Sequence, residues 1–229
     1  MAFTLIEVLV VIGLLAVLIS LLVPAAGQLR ERAATQVTIS NLKQLQSANS
    51  LYASDHGGKC VPAQVNGDYS NGMWFQNEDF LRYLEVPKTD RMWDEDWPAM
   101  AKSGIRSASP NQPPGKMDRQ ASLAINLGLR QHWANPDGSF ADLGFQQSSI
   151  LRPSKSMAFA DATDTWIRMD RADKWQSDQK SAENGWYNMS IAYRNNGKAG
   201  VVFFDGHVEL LSREQVVGNW DLWIPDSGS

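Results

Sequence analysis

One carboxylate stands at the start of an otherwise uncharged apolar run: Glu7, in Phe3-Thr4-Leu5-Ile6-Glu7-Val8-Leu9-Val10-Val11-Ile12-Gly13. An ionised side chain at membrane depth costs ~2.5 to 3.5 kcal/mol on insertion scales, so such a residue requires an opposite charge beside it. Asp161, Asp164, Asp205 and His207 are of the types that do acid–base or metal chemistry. Their settings favour structure instead, because Asp161 ends a predicted strand, Asp205 falls in a predicted turn and His207 alternates with its strand neighbours. Acidic groups at Asp94-Glu95-Asp96 and between Asp170 and Asp178 could offer oxygens to calcium, which takes six to eight of them. No phosphate-cradling glycine loop, H-E-x-x-H or serine-nucleophile motif occurs. No catalytic residue and no metal ligand is therefore assigned. The cofactor expectation is none, with calcium the one candidate considered.

The elements that must position these residues fall into two parts. The chain has 229 residues, 43% hydrophobic and 20% charged, with a net charge of -4. That is enough for one filled domain plus an appendage, and without a basic stripe it offers no nucleic-acid footprint by bulk charge. Cys60 is the single cysteine, so no intrachain disulfide can form, and a buried thiol is expected. All nine tryptophans lie beyond residue 70. Core packing or loop anchoring is their expected use, with a sugar-stacking surface as the alternative.

Val8 to Ala26 contains no charge, and its one hydroxyl, Ser20, can bond back to its own helix. These 19 positions rise ~28 Å as a helix, close to the ~30 Å hydrocarbon core, and read as a lipid-spanning segment. Pro24 predicts a kink near residues 20 to 24. Leu29, Ala33, Val37, Leu42, Leu45, Ala48 and Tyr52 then recur at mostly three- and four-residue steps, an amphipathic stripe continuing the helix to about Ser54. Gly57-Gly58 supply a stop, with His56 as a cap. The result is a rod of ~78 Å, greasy in front and amphipathic behind.

Ala2-Phe3-Thr4-Leu5-Ile6-Glu7 and the uncharged run through Pro24 resemble the N-terminus of type IV pilins and type II secretion pseudopilins over residues 2 to 26. The resemblance implies cleavage by a prepilin peptidase between Ala2 and Phe3, methylation of the new amino group, and a residual leader of residues 1–2. It also implies a partner for Glu7, the α-amino group of a neighbouring subunit in a filament. Carboxylate and ammonium offset each other's cost in low dielectric. Glu7 and Pro24 are the implied assembly residues. Two departures stand out. Ala2 replaces the family's usual glycine, and Arg30 and Arg32 lie on the side of the span opposite to where the positive-inside rule places cations.

Behind the rod, Val201-Val202-Phe203-Phe204-Asp205-Gly206-His207-Val208 predicts a hairpin at 199–204 and 207–212, with Asp205-Gly206 as a type I′ turn. Further strands are predicted at 156–162 and 188–194, and a short helix at ~77–85 capped by Asn77. Residues 55–72 and 100–120 read as long surface loops. Arg194 to Val208 resembles the C-terminal signature of a large pilin-like family, a histidine followed by nine residues and Asp-Gly, with Asn195 in the histidine place. Segments 51–62 and 150–162 also resemble that family. The expected fold is α+β, a long helix whose rear half packs on an antiparallel sheet, in which residues 3–26 form the span or filament core and 27–229 the head.

The functional expectation is a non-enzymatic filament subunit of the bacterial inner membrane. It would be a single-pass protein with a periplasmic head, or extracellular once assembled, whose partners are other subunits and the peptidase. The alternative is a membrane-anchored periplasmic enzyme or carbohydrate-binding module using the helix as a tether. An unrelated anchor in place of residues 3–26 separates the two, since only a tethered head would keep its function.

Overall fold

A computed structural model describes residues 5–65, 73–85, 122–126, 144–164, 166–177 and 189–223, and within these leaves out the side chains of 21–25. Helix α1 runs Leu5–Asp55, 51 residues without interruption at Pro24, so the expected kink does not break it. Its end matches the expectation. Gly57 and Gly58 take φ of +62° and +84°, and the Gly58 amide reaches back to the Ala53 carbonyl at 2.8 Å, the six-to-one bond of a Schellman ending. His56 lies with Nδ1 2.8 Å from the Tyr52 carbonyl, its ring stacked on Tyr52 at 3.8 Å. Helix α2, Glu78–Tyr83, begins where predicted, the Asn77 side chain accepting from the Phe80 amide.

Five strands follow: β1 Ser122–Asn126, β2 Met157–Ala162, β3 Trp166–Ile167, β4 Lys198–Phe203 and β5 Val208–Ser212. Their order is β3-β1-β2-β4-β5. The sheet is mixed, correcting the antiparallel expectation, because β3 pairs parallel with β1. The cause is local: β3 follows β2 after a short reversal, so it runs opposite to β2 and therefore alongside β1, itself antiparallel to β2. The stretch 188–194 contributes a single bridge, Ala162 to Ile191, and Met189 has φ +44°, a backbone that no strand sustains.

Turn chemistry is distributed differently from the prediction. At Asp205-Gly206 only the glycine has positive φ (+94°). The Gly206 amide bonds Phe203 O at 2.9 Å and the Phe203 amide bonds His207 O at 3.0 Å, a three-residue loop ending in a left-handed glycine. The type I′ geometry occurs nine residues earlier. Asn196 and Gly197 have φ of +53° and +76°, and Asn195 and Lys198 exchange both backbone bonds at 2.9 and 3.0 Å.

Side chains alternate across the sheet. Leu123, Ile125, Phe159 and Val202 face α1 with Leu42, Leu45 and Trp74. Ala124, Ala160, Val201 and Phe203 face the opposite way, under Ile191, Val216, Leu222 and Trp223. A register shift between Met157 and Phe159 puts Ala158 and Phe159 on the same side, as a bulge does. The second cover comes from helices α3, Arg213–Val216, and α4, Trp220–Trp223. It explains why all six residues of β2 are buried: this sheet is a middle layer.

Candidate functional site

The front of α1 is apolar and touches no other part of the described chain closely enough to be covered. Leu5, Ile6, Leu14 and Ile19 are 82%, 70%, 62% and 57% exposed, and the whole stretch from Leu5 to Ser20 is exposed. Ser20 Oγ donates to the Val17 carbonyl at 2.7 Å, so its hydroxyl adds no unmet polarity. Transfer of a dozen such side chains out of water is worth on the order of 20 kcal/mol, more than the whole stability of an ordinary domain, ~5–15 kcal/mol. Such a surface gains free energy by leaving water. Glu7 lies on it, in the first turn of the helix. Ala2 and Phe3 lie outside the described residues, and so does the side chain of Pro24.

Among the described residues no helix is long and apolar enough to cross a membrane. Of the expected span over Val8–Ala26, the described side chains run to Ser20 and then resume at Ala26; with Leu5 to Val8 they form an apolar face of ~24 Å of helix from Leu5 to Ser20.

The rear of α1 is buried against the head from Thr38 onward, with Thr35 half-buried just before it. Thr38, Leu42, Leu45, Ala48, Asn49, Tyr52 and Ala53 are buried, whereas Leu29 and Val37, assigned above to the same stripe, are 64% and 48% exposed. Close approach depends on Gly200 of β4: a Cβ there would stand 2.9 Å from Leu42 Cδ1 and 3.3 Å from Thr38 Cγ2. Polar side chains on the buried face are all employed. Gln46 Nε2 donates to the Phe204 carbonyl at 2.7 Å and Asn49 Oδ1 accepts the Val61 amide at 2.9 Å, so the helix satisfies backbone groups that the sheet and loop would otherwise bury unmet.

At the upper edge of that contact lies a buried polar clasp. Asp161 is fully buried; its Oδ2 accepts Asn195 Nδ2 at 2.8 Å and the Gly200 amide at 3.0 Å. Asn195 Oδ1 accepts the Thr35 hydroxyl of α1 at 2.9 Å. Arg194, its side chain 2% exposed, places Nη1 3.9 Å from Asp161 Oδ1 and donates from the same nitrogen to the Ala162 carbonyl at 2.9 Å. A buried carboxylate persists only with such compensation. Asn195 therefore ties rod to sheet through both ends of one amide.

The other candidates do not converge on Asp161. Asp205 sits at the opposite end of the β2–β4 pair, ~13 Å of strand away, where its carboxylate accepts the His207 amide at 3.1 Å and meets His207 Nδ1 at 2.6 Å. This is the expected turn role for Asp205 and Gly206. Asp164 lies in the bend two residues past the end of β2. Asp170 is gripped by Arg168 at 2.9 and 3.0 Å and Asp173 by Lys174 at 3.2 Å, so their oxygens face cations of the chain. Among the described residues no group of acids, cysteines or histidines is assembled to hold a metal. Asp94-Glu95-Asp96 and Asp178 lie outside the described residues.

Of the tryptophans, Trp74, Trp166 and Trp223 are buried; the indole N–H groups of Trp166 and Trp223 donate to Ala63 and Val216 carbonyls at 3.3 and 3.0 Å. Trp220 is 56% exposed and stands alone among the described indoles in that respect. Trp93, Trp97, Trp133 and Trp186 are outside the described residues. Cys60 is buried, and burial pushes its thiol up to about 11.

Sequence reasoning missed the clasp, the Asn196-Gly197 turn and the C-terminal cover. The turn carried a readable signal, since Asn-Gly is the favoured type I′ pair. The clasp did not, because its partners lie up to 160 positions apart. No family model, no curated protein and no solved structure matches the chain.

Proposed function

We propose that this chain is a structural subunit of a type IV pilus-like or type II secretion pseudopilus filament. It is held in the bacterial inner membrane by its N-terminal helix, cut before Phe3, and then incorporated through that helix. The observation that carries the reading is the contrast within α1. Its front half exposes apolar side chains on every side, while its rear half is packed against the sheet and tied to it by Thr35 and Asn195. A tether needs only the first property. A building block needs both, because a rod that transmits force must be fixed to the head it carries.

Glu7 is the one charge from Leu5 through Gln28 and, in this reading, sets the axial stagger by meeting a neighbour's α-amino group. Polymerisation is the activity. Intact-mass measurement of the chain isolated from its native membrane tests the proposal. The expected mass lacks Met1 and Ala2 and carries one added methyl group. An unprocessed mass would remove the filament reading.

A further inference from the structure

Where α1 leaves the head, a groove of about 900 Å³ opens between its residues 28–36 and the Asn195–Lys198 turn. The residues that line it are mostly polar or charged, Glu31, Arg32 and Gln36 on the helix side and Asn196 and Lys198 on the sheet side, with Leu210 the one large apolar side chain and the aliphatic stems of the others supplying apolar surface. Arg194, which also lines it, is committed to Asp161 and the Ala162 carbonyl. Two cations and one anion remain for the groove itself. Among the described residues Glu31, Arg32 and Lys198 form no ion pair, although opposite charges lie along one wall.

Position adds the second argument, and it rests on the membrane-anchored reading proposed above. Glu31 and Arg32 are five and six residues past Ala26, ~8–9 Å along the helix. The polar band of a bilayer occupies roughly the 5–8 Å outside its hydrocarbon core, and long cationic side chains bend back toward it. The type I′ turn, locked to Thr35 through Asn195, brings Lys198 to the same level from the sheet.

We propose that this groove seats the headgroup of a phospholipid bearing an aminoethyl phosphodiester. Arg32 and Lys198 hold the phosphate and Glu31 takes the ammonium. One wall with both signs fits a zwitterion better than a purely anionic headgroup, which would meet Glu31 unshielded. A wall of amides and charges also does not suit the apolar rod of a second copy. The site orients the head on the membrane before the subunit is extracted.

The test places the full-length chain in nanodiscs of phosphatidylcholine mixed equally with phosphatidylethanolamine or with phosphatidylglycerol. Lipids retained on ejection are counted by native mass spectrometry. Wild type is expected to retain phosphatidylethanolamine over phosphatidylglycerol by roughly tenfold, the effect of one charge-assisted contact. Lys198→Gln should lose retention of both, and Glu31→Gln should abolish the preference while keeping phosphate-dependent retention. Equal retention of the two lipids by wild type, or retention indifferent to both substitutions, overturns the site. So does a cross-link from the groove to a second copy that lipid does not suppress. Failure of the chain to enter nanodiscs counts against the membrane reading instead. Titration of detergent-solubilised protein with phosphoethanolamine, against inorganic phosphate alone, then decides the groove. Tighter binding of phosphoethanolamine that Glu31→Gln removes sustains it, and no difference sinks it.

Discussion

At the scale of single residues, the strongest constraint is the carboxylate of Asp161, buried in the sheet and answered by one amide, one backbone N–H and a guanidinium. Asn195→Ala removes the amide and leaves Asp161 short of a donor, while the Thr35 hydroxyl keeps the Glu31 carbonyl at 2.9 Å. Loss of ~1–3 kcal/mol is expected, read as a lowered denaturation midpoint in detergent, with Thr35→Ala costing less because it leaves the Asp161 contact in place. Cys60 gives a pH signature. Its thiol, 9.0 when unperturbed, is raised to about 11 by burial, so the unfolded chain ionises first as the pH climbs. Stability from this group is complete below about pH 9 and declines toward about pH 11, by up to ~3 kcal/mol. Comparing wild type with Cys60→Ala across that range isolates the effect; matching slopes would show that the thiol ionises alike in both states.

Among the elements, the type I′ turn at Asn196-Gly197 matters beyond its own hairpin, because it aims Asn195 at α1 and Lys198 at the groove. Gly197→Ala forces a Cβ into φ +76°, where open space does not relieve the backbone strain. A loss of ~1 kcal/mol is expected in thermal unfolding, whereas Gly13→Ala, which has nothing within 4 Å and no positive φ, should leave the head unchanged. The sequence made α1, α2 and strands β2, β4 and β5 readable, since each carries its own period or cap. Strand β1, Ser122–Asn126, carries only five residues of weak pattern and gains its place by pairing with β2. The stripe Leu29–Ala33–Val37 misled because helical periodicity shows which residues share a face and not how far a partner extends along it. The helix packs where Gly200 allows contact, which begins at Thr38.

The whole molecule is a rod and a head joined over the rear half of one helix, with a second cover of C-terminal residues closing the far side of the sheet. In the filament reading proposed above, Glu7 acts between molecules. Glu7→Ala should insert into the inner membrane as wild type does and melt with the same head stability, yet drop out of the filament fraction by at least ~tenfold, the effect of one buried charge pair. Sedimentation of sheared filaments after co-expression with wild type measures it, and equal incorporation would refute the role.

Because the rod is fastened chiefly to β2 and β4, two interior strands each flanked by neighbours on both sides, tension applied along it enters the sheet away from its edges. Strands drawn lengthwise past two partners resist by shearing many backbone bonds together, while an edge strand peels away one bond at a time. The head is therefore anchored in the geometry best able to survive being dragged by its stem.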